Sequence, residues 1–91
     1  MTYTGKVLVY AADDPKVFEL IRKAVEGEGT TVRDFDVRPA GDGAKELYVE
    51  LLLNDARRMG DIVRRIEAVS GAAVMAATPA REFRPSKGIP G

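Results

Sequence analysis

The chain contains no cysteine and no histidine. The first absence removes disulfides and thiolate nucleophiles, the second removes imidazole bases, and together they remove the commonest zinc ligands. Only carboxylates are left to hold a metal. An excess of charge is missing too, since 14 Lys plus Arg balance 14 Asp plus Glu. A neutral chain exerts no long-range pull on nucleic acid or an anionic membrane, so the expected partners are small ligands or other proteins. Long apolar runs are also lacking. The run at residues 7–12 follows Lys6 and stops at Asp13, too short for a signal peptide or a membrane span, which makes the cytoplasm the expected location. The 91 residues hold one domain. That size leaves a single core little margin, and a partner subunit is a natural source of further burial.

What is present reads as alternating strands and helices. Residues 6–12 form a short run of β-formers between Gly5 and Asp13-Asp14-Pro15, the pattern of a buried strand. Asp14 offers an N-cap oxygen and Pro15 suits a first helical position, while Val17, Phe18, Leu20, Ile21, Ala24 and Val25 share one helical face as far as the stop at Gly27 and Gly29. Residues 30–38 alternate imperfectly, with Phe35 and Val37 on one side and Asp34 and Asp36 on the other. Pro39-Ala40-Gly41-Asp42-Gly43 is a turn, and residues 46–53 alternate cleanly, Leu47, Val49, Leu51 and Leu53 against Tyr48, Glu50 and Leu52. Asn54 or Asp55 is the expected cap of a second helix whose Met59, Ile62, Val63, Ile66 and Val69 recur at helical spacing up to Ser70-Gly71. A last strand covers residues 72–78. The remaining stretch, residues 79–91, shows no period and is read as a tail or linker beyond a domain of residues 1–78.

The order strand, helix, strand, strand, helix, strand predicts an α+β, ferredoxin-like βαββαβ sandwich. Right-handed crossovers place both helices on one face of a four-stranded antiparallel sheet. The other face is left open. If Val7, Val9 and Ala11 face the helices, then Leu8, Tyr10, Tyr48 and Leu52 point outward and form an apolar patch that a second subunit would cover, giving a dimer or higher homo-oligomer.

Several groups invite chemical readings. The loop Ala12, Asp13, Asp14, Pro15, Lys16 and Val17 opens a helix, where backbone N–H groups can receive a carboxylate and Lys16 adds charge. The same residues also read as a plain N-cap and turn. Asp13, Asp14, Asp34 and Asp36 could be combined into an acid–base pair or a divalent-ion site, but no further oxygen-rich loop supports them and no nucleophile has a neighbouring base. Catalysis, metal and cofactor are therefore not expected. Gly41-Asp42-Gly43 joins two strands and does not open a helix, so it is hairpin chemistry and not a phosphate loop. Tyr10 and Tyr48 occupy the positions on which RNA-recognition domains stack bases, yet Glu46 and Glu50 flank Tyr48 and no basic run accompanies them. On the second helix Asp61 lies within reach of Arg57, Arg58, Arg64 and Arg65, which makes a solvated charged face.

The segment Val7-Leu8-Val9-Tyr10-Ala11-Ala12-Asp13-Asp14-Pro15-Lys16-Val17-Phe18 resembles the opening of ACT domains, in which a strand runs into an Asp-x-Pro-Gly loop. Glu26-Gly27-Glu28-Gly29-Thr30-Thr31-Val32-Arg33-Asp34-Phe35-Asp36 is similar to the family's helix end and second strand. Residues 61–71 are similar to its second helix, closing on a glycine. The resemblance spans residues 5–78. It implies a regulatory, non-catalytic domain that oligomerises and binds a small amino acid at a subunit interface, with Asp34 and Asp36 holding the ligand's ammonium group. Within the family, the Gly-x-x-x-x-Asp-x-Asp strand from Gly29 to Asp36 and the stretch Arg81-Glu82-Phe83 with Lys87-Gly88-Ile89 are similar to the ACT segment preceding the catalytic part of bacterial malic enzymes, which are NAD(P)-dependent. One departure stands out. Lys16 takes the place of the family's glycine, whose missing side chain admits the ligand, and this favours the alternative of a ligand-free dimerisation or docking module.

Overall fold

In a computed structural model that describes residues 1–83, the N-terminal β-formers become β1, Tyr3–Ala12. The strand runs through Gly5, which the sequence suggested as its boundary. Pairing with the strand at residues 44–53 carries it on to Tyr3, and the glycine answers to packing, because a Cβ at Gly5 would sit 2.5 Å from Met59 Sδ on the second helix. Asp14 has extended backbone, its carboxylate accepts the Lys16 N–H at 2.9 Å, and Pro15 opens α1, Pro15–Val25. Arg22 and Lys23 in the last turn complement the negative end of that helix. Val17, Ile21 and Val25 recur every four residues and are buried, whereas Leu20 falls at the margin of the stripe and is half exposed.

The strand β2, Thr30–Pro39, turns into β3, Ala44–Leu53, through Gly41, Asp42 and Gly43, all at positive φ. Glycine tolerates that backbone freely and aspartate tolerates it better than most residues. Helix α2, Arg58–Glu67, starts later than a cap at Asn54 or Asp55 implies and ends before Val69, the last member of its apolar pattern. Asp55 does not cap it directly. Its carboxylate accepts the Arg57 N–H at 2.9 Å and its carbonyl the Arg58 N–H at 3.1 Å, so it organises the turn leading into the helix, while Asn54 accepts from Arg58 Nε. Gly71, at φ 91°, then reverses the chain into β4, Ala72–Ala77.

A further strand lies beyond Thr78, inside the stretch read as aperiodic. The two residues of β5, Arg81–Glu82, pair with Tyr3 and Thr4 of β1. The expected tail is thus described as far as Phe83, and residues 84–91, with Lys87-Gly88-Ile89, lie outside the described residues.

The sheet runs in the order β2-β3-β1-β4, antiparallel throughout, with β5 continuing on the β4 side of β1. This is the ferredoxin-like βαββαβ arrangement. Val7, Val9 and Ala11 of β1 and Leu47, Val49, Leu51 and Leu53 of β3 point to the helix side, where Ile21, Val25, Ile62 and Ile66 meet them; all are buried. Among the described residues no polar or charged residue is buried. The core is a purely apolar layer between one sheet face and two helices.

Candidate functional site

Strand alternation that sends seven residues of β1 and β3 into the core sends their neighbours to the opposite, open face. There the register sets Leu8 against Tyr48, Tyr10 against Glu46, Lys6 against Glu50 and Thr4 against Leu52. Tyr48 keeps 37% of its surface exposed, while Leu8, Tyr10 and Leu52 are half-buried. On the other flank Ala76 and Ala73 lie beside Leu8 and Tyr10, small enough to leave those side chains uncovered. Between Val74 and Ala76 the strand bulges, and Met75 is 61% exposed.

Strand β2 supplies charge to the same face. Asp34 lies opposite Glu50, Asp36 opposite Tyr48 and Arg38 opposite Glu46. Arg38 stacks over the Tyr48 ring at 4.6 Å, and its Nε donates to Asp36 Oδ2 at 2.7 Å. That hydrogen bond, followed by the charge of Asp36, raises the guanidinium pKa. Asp36 is therefore engaged by its own strand neighbour, and Asp34 lines a shallow groove of about 300 Å³ with Lys6, Leu8, Arg38, Tyr48 and Glu50.

A second groove, of about 460 Å³, adjoins the first and shares Lys6, Glu50 and Thr78 with it. Sequence reasoning did not find its other members. Arg33 belongs to a bulge of β2, lies 4.0 Å from Glu50 and stacks on the Phe83 ring at 5.2 Å. Because β3 and β1 separate β2 from β5, this contact arches over the two central strands. Phe83 is held beyond β5 by its N–H, which donates to the Thr2 carbonyl at 2.7 Å. Thr78 closes the groove from the β4 side, its Oγ1 accepting the Lys6 N–H at 2.9 Å. Thr4 Oγ1 is buried in the groove wall with no hydrogen-bond partner among the described residues.

At residues 12–17 the backbone donors foreseen as free are used within the turn. Lys16 N–H goes to Asp14 Oδ1, Val17 N–H and Phe18 N–H to the Asp14 carbonyl at 2.9 and 3.2 Å, and Asp14 N–H to the Ala12 carbonyl at 2.8 Å. Pro15 has no N–H. Ala12 N–H donates to the Gly71 carbonyl at 2.9 Å, which ties the start of α1 to the end of α2. Lys16 is exposed, and Asp13 faces Lys45 at 4.0 Å. Asp34 and Asp36 lie on the sheet face opposite the one from which α1 rises, so one chain does not bring the two halves of the expected effector site together.

Among the described residues no three Asp or Glu side chains gather as a metal site would require. On α2, Asp61 pairs with Arg64, and Arg57 turns back to Asp55 at 3.0 Å. The side-chain and backbone hydrogen bonds from Arg57 hold the Asp55 carboxyl below its ordinary pKa. No helix among the described residues is long and apolar enough to cross a membrane.

No family model matches the sequence, and no curated protein matches it. Solved structures match the fold. The crystal structure of the ACT domain from the GTP pyrophosphokinase of Chlorobium tepidum superposes with a TM-score of 0.67 at 13% identity, covering 86% of this chain and 97% of that one. An uncharacterized protein of Thermotoga maritima gives 0.65 at 13% identity, over 87% and 98% of the two chains. The C-terminal domain of the MgtC protein from Mycobacterium tuberculosis gives 0.63 at 22% identity, over 84% and 83%. The class is thereby fixed as a ferredoxin-like α+β domain with the ACT fold. At these identities the likeness is one of fold alone.

Proposed function

We propose that the chain is a regulatory module of the ACT type, without catalytic activity of its own, that assembles through its open sheet face and controls a linked metabolic enzyme. The observation that carries this reading is the stripe of Leu8, Tyr10 and Tyr48, bordered by Ala73 and Ala76 on one flank and only partly covered by its own chain, with Arg38 over Tyr48 on the other. A second copy is the simplest cover. Charges of both signs on the stripe's borders, Lys6 and Arg38 against Glu46 and Asp34, suit a two-fold contact in which each subunit offers both signs. A malic enzyme is the linked catalyst we favour, on the strength of the strand from Gly29 to Asp36.

An amino-acid effector enters this proposal only through a second subunit. At an open-face contact the carboxylate of Asp34 lies within the interface and supplies the partner for an ammonium group, whereas Lys16 and residues 12–17 stand on the other side of the sheet, outside it. Binding there would favour one subunit arrangement over another, which is how a ligand shifts an equilibrium. Sedimentation of the chain from low to high micromolar concentration tests the assembly, with a dimer as the expected species. A chain that stays monomeric throughout overturns it. Calorimetry of the dimer against an amino-acid panel tests the effector, and the absence of heat with every member leaves assembly as the only role.

A further inference from the structure

The groove beneath the Arg33–Phe83 arch has a charge balance found in neither the whole chain nor the rest of the open face. Three cations line it, Lys6, Arg33 and Arg81, against one carboxylate, Glu50. Arg33 reaches Glu50 only at 4.0 Å, and its guanidinium carbon lies over the Phe83 ring, 5.2 Å from the centroid. Lys6 and Arg81 make no side-chain ion pair among the described residues. Two hydroxyls, Thr4 and Thr78, complete the wall, and that of Thr4 has no partner among the described residues. A volume of about 460 Å³ lies in the range of small-molecule sites.

We propose that this groove binds a small organic anion carrying at least two negative charges. Lys6 and Arg81, unpaired among the described residues, meet the charged head, Arg33 offers a planar fork suited to carboxylate or phosphate oxygens, and Phe83 receives the apolar remainder of the ligand. Phosphate monoesters and dicarboxylates share this chemistry. Glu50 opposes it and sets a ceiling on affinity, because each anion bound must lie near its charge. The site lies apart from residues 12–17 and is complete within one chain, although its Lys6 and Glu50 also line the groove on the face through which the proposed assembly forms.

The test is an amide NMR titration of the full chain with inorganic phosphate, succinate and adenosine monophosphate. Saturable shifts centred on Thr4, Lys6, Arg33, Thr78 and Arg81 are expected, weakening as salt is added. Preference for succinate over the two phosphates identifies the head as a dicarboxylate, and the reverse order identifies it as a phosphate. Arg81→Gln should weaken binding about tenfold, as loss of a charge-assisted contact does. Glu50→Gln should tighten it several-fold, which a purely structural role for these residues would not produce. Should Arg81→Gln disturb the spectrum beyond the groove, Lys6→Gln supplies the same comparison. No shift with any of the three anions at millimolar concentration overturns the inference, as do shifts centred elsewhere or an affinity indifferent to both charge changes. Binding by a chain that sediments as a monomer would uphold this site and sink the assembly reading.

Discussion

The two faces of the sheet are cut from the same two central strands, yet they solve different problems. On the helix side, Val7, Val9, Leu47, Val49 and Leu51 are at most 2% exposed and meet only apolar neighbours. On the other side, their sequence neighbours Lys6, Leu8, Tyr10, Tyr48 and Glu50 mix charge with half-covered apolar surface. The first face obtains all its burial from its own chain. The second obtains some, from the reach of Phe83 and Arg33 across it, and leaves the rest available. Stability therefore resides on the helix side, and the recognition proposed above falls to the other.

Substitutions divide along that line. The largest cost is expected in the helix-side layer, where Ile66→Ala or Leu51→Ala should destabilise by about 2–5 kcal/mol in chemical denaturation. Leu8→Ala, one pleat away on the other face, should cost about 1 kcal/mol. Equal costs would dissolve the distinction. Gly71→Ala comes next, at about 1–2 kcal/mol, because a side chain at φ 91° is strained and its Cβ would lie 3.3 Å from Val17 Cγ2. The loss would appear as a lowered Tm. Phe83→Ala should cost about 0.5–1 kcal/mol through the stacked Arg33, and it should open the lower part of the face to solvent, visible as faster amide exchange at Thr4. Tyr48→Glu should change monomer stability by less than about 0.5 kcal/mol while abolishing self-association in sedimentation.

The smallest effect concerns Asp55. Its folded pKa is depressed by the hydrogen bonds from Arg57, so its contribution is present above the unfolded value, about 3.9, and is lost as pH falls through the folded one. Asp55→Asn keeps the turn's acceptor and should flatten the acid limb of the stability profile below about pH 4. An unchanged acid limb would show that the pairing contributes nothing measurable, as many exposed pairs do.

How much of this could be read in advance follows from the range of the interactions involved. The alternation of residues 46–53, the Asp14-Pro15 helix start and the Gly41-Asp42-Gly43 turn are local signals, and each holds in the structure. The outward stripe of Leu8, Tyr10, Tyr48 and Leu52 followed from parity alone. What escaped depends on partners distant in sequence. Gly5 is a packing glycine under Met59 within a strand that pairing with β3 extends to Tyr3, and β5 is too short to show any period. The Arg33–Phe83 arch joins a bulge to a residue 50 positions later, and no window of sequence contains both. Asn54 and Asp55 both read as caps, but whether either holds the helix or the turn before it depends on where Arg57 and Arg58 settle.

The central strand has a consequence in time as well as in space. β1 is synthesised first, yet its hydrogen-bonding partners are β3 on one side and β4 with β5 on the other. Until residues 72–82 have left the ribosome, its second edge has nothing to pair with. An 11-residue α1 cannot persist alone for long, since helices of that length are marginal in water without a packed face. Folding thus waits for the end of the domain and then proceeds through long-range closures, which places its speed between that of helical bundles and that of all-β folds of its size. During that wait β1 keeps an open edge beside Val7, Val9 and Tyr10, the segment most in need of protection in a growing chain.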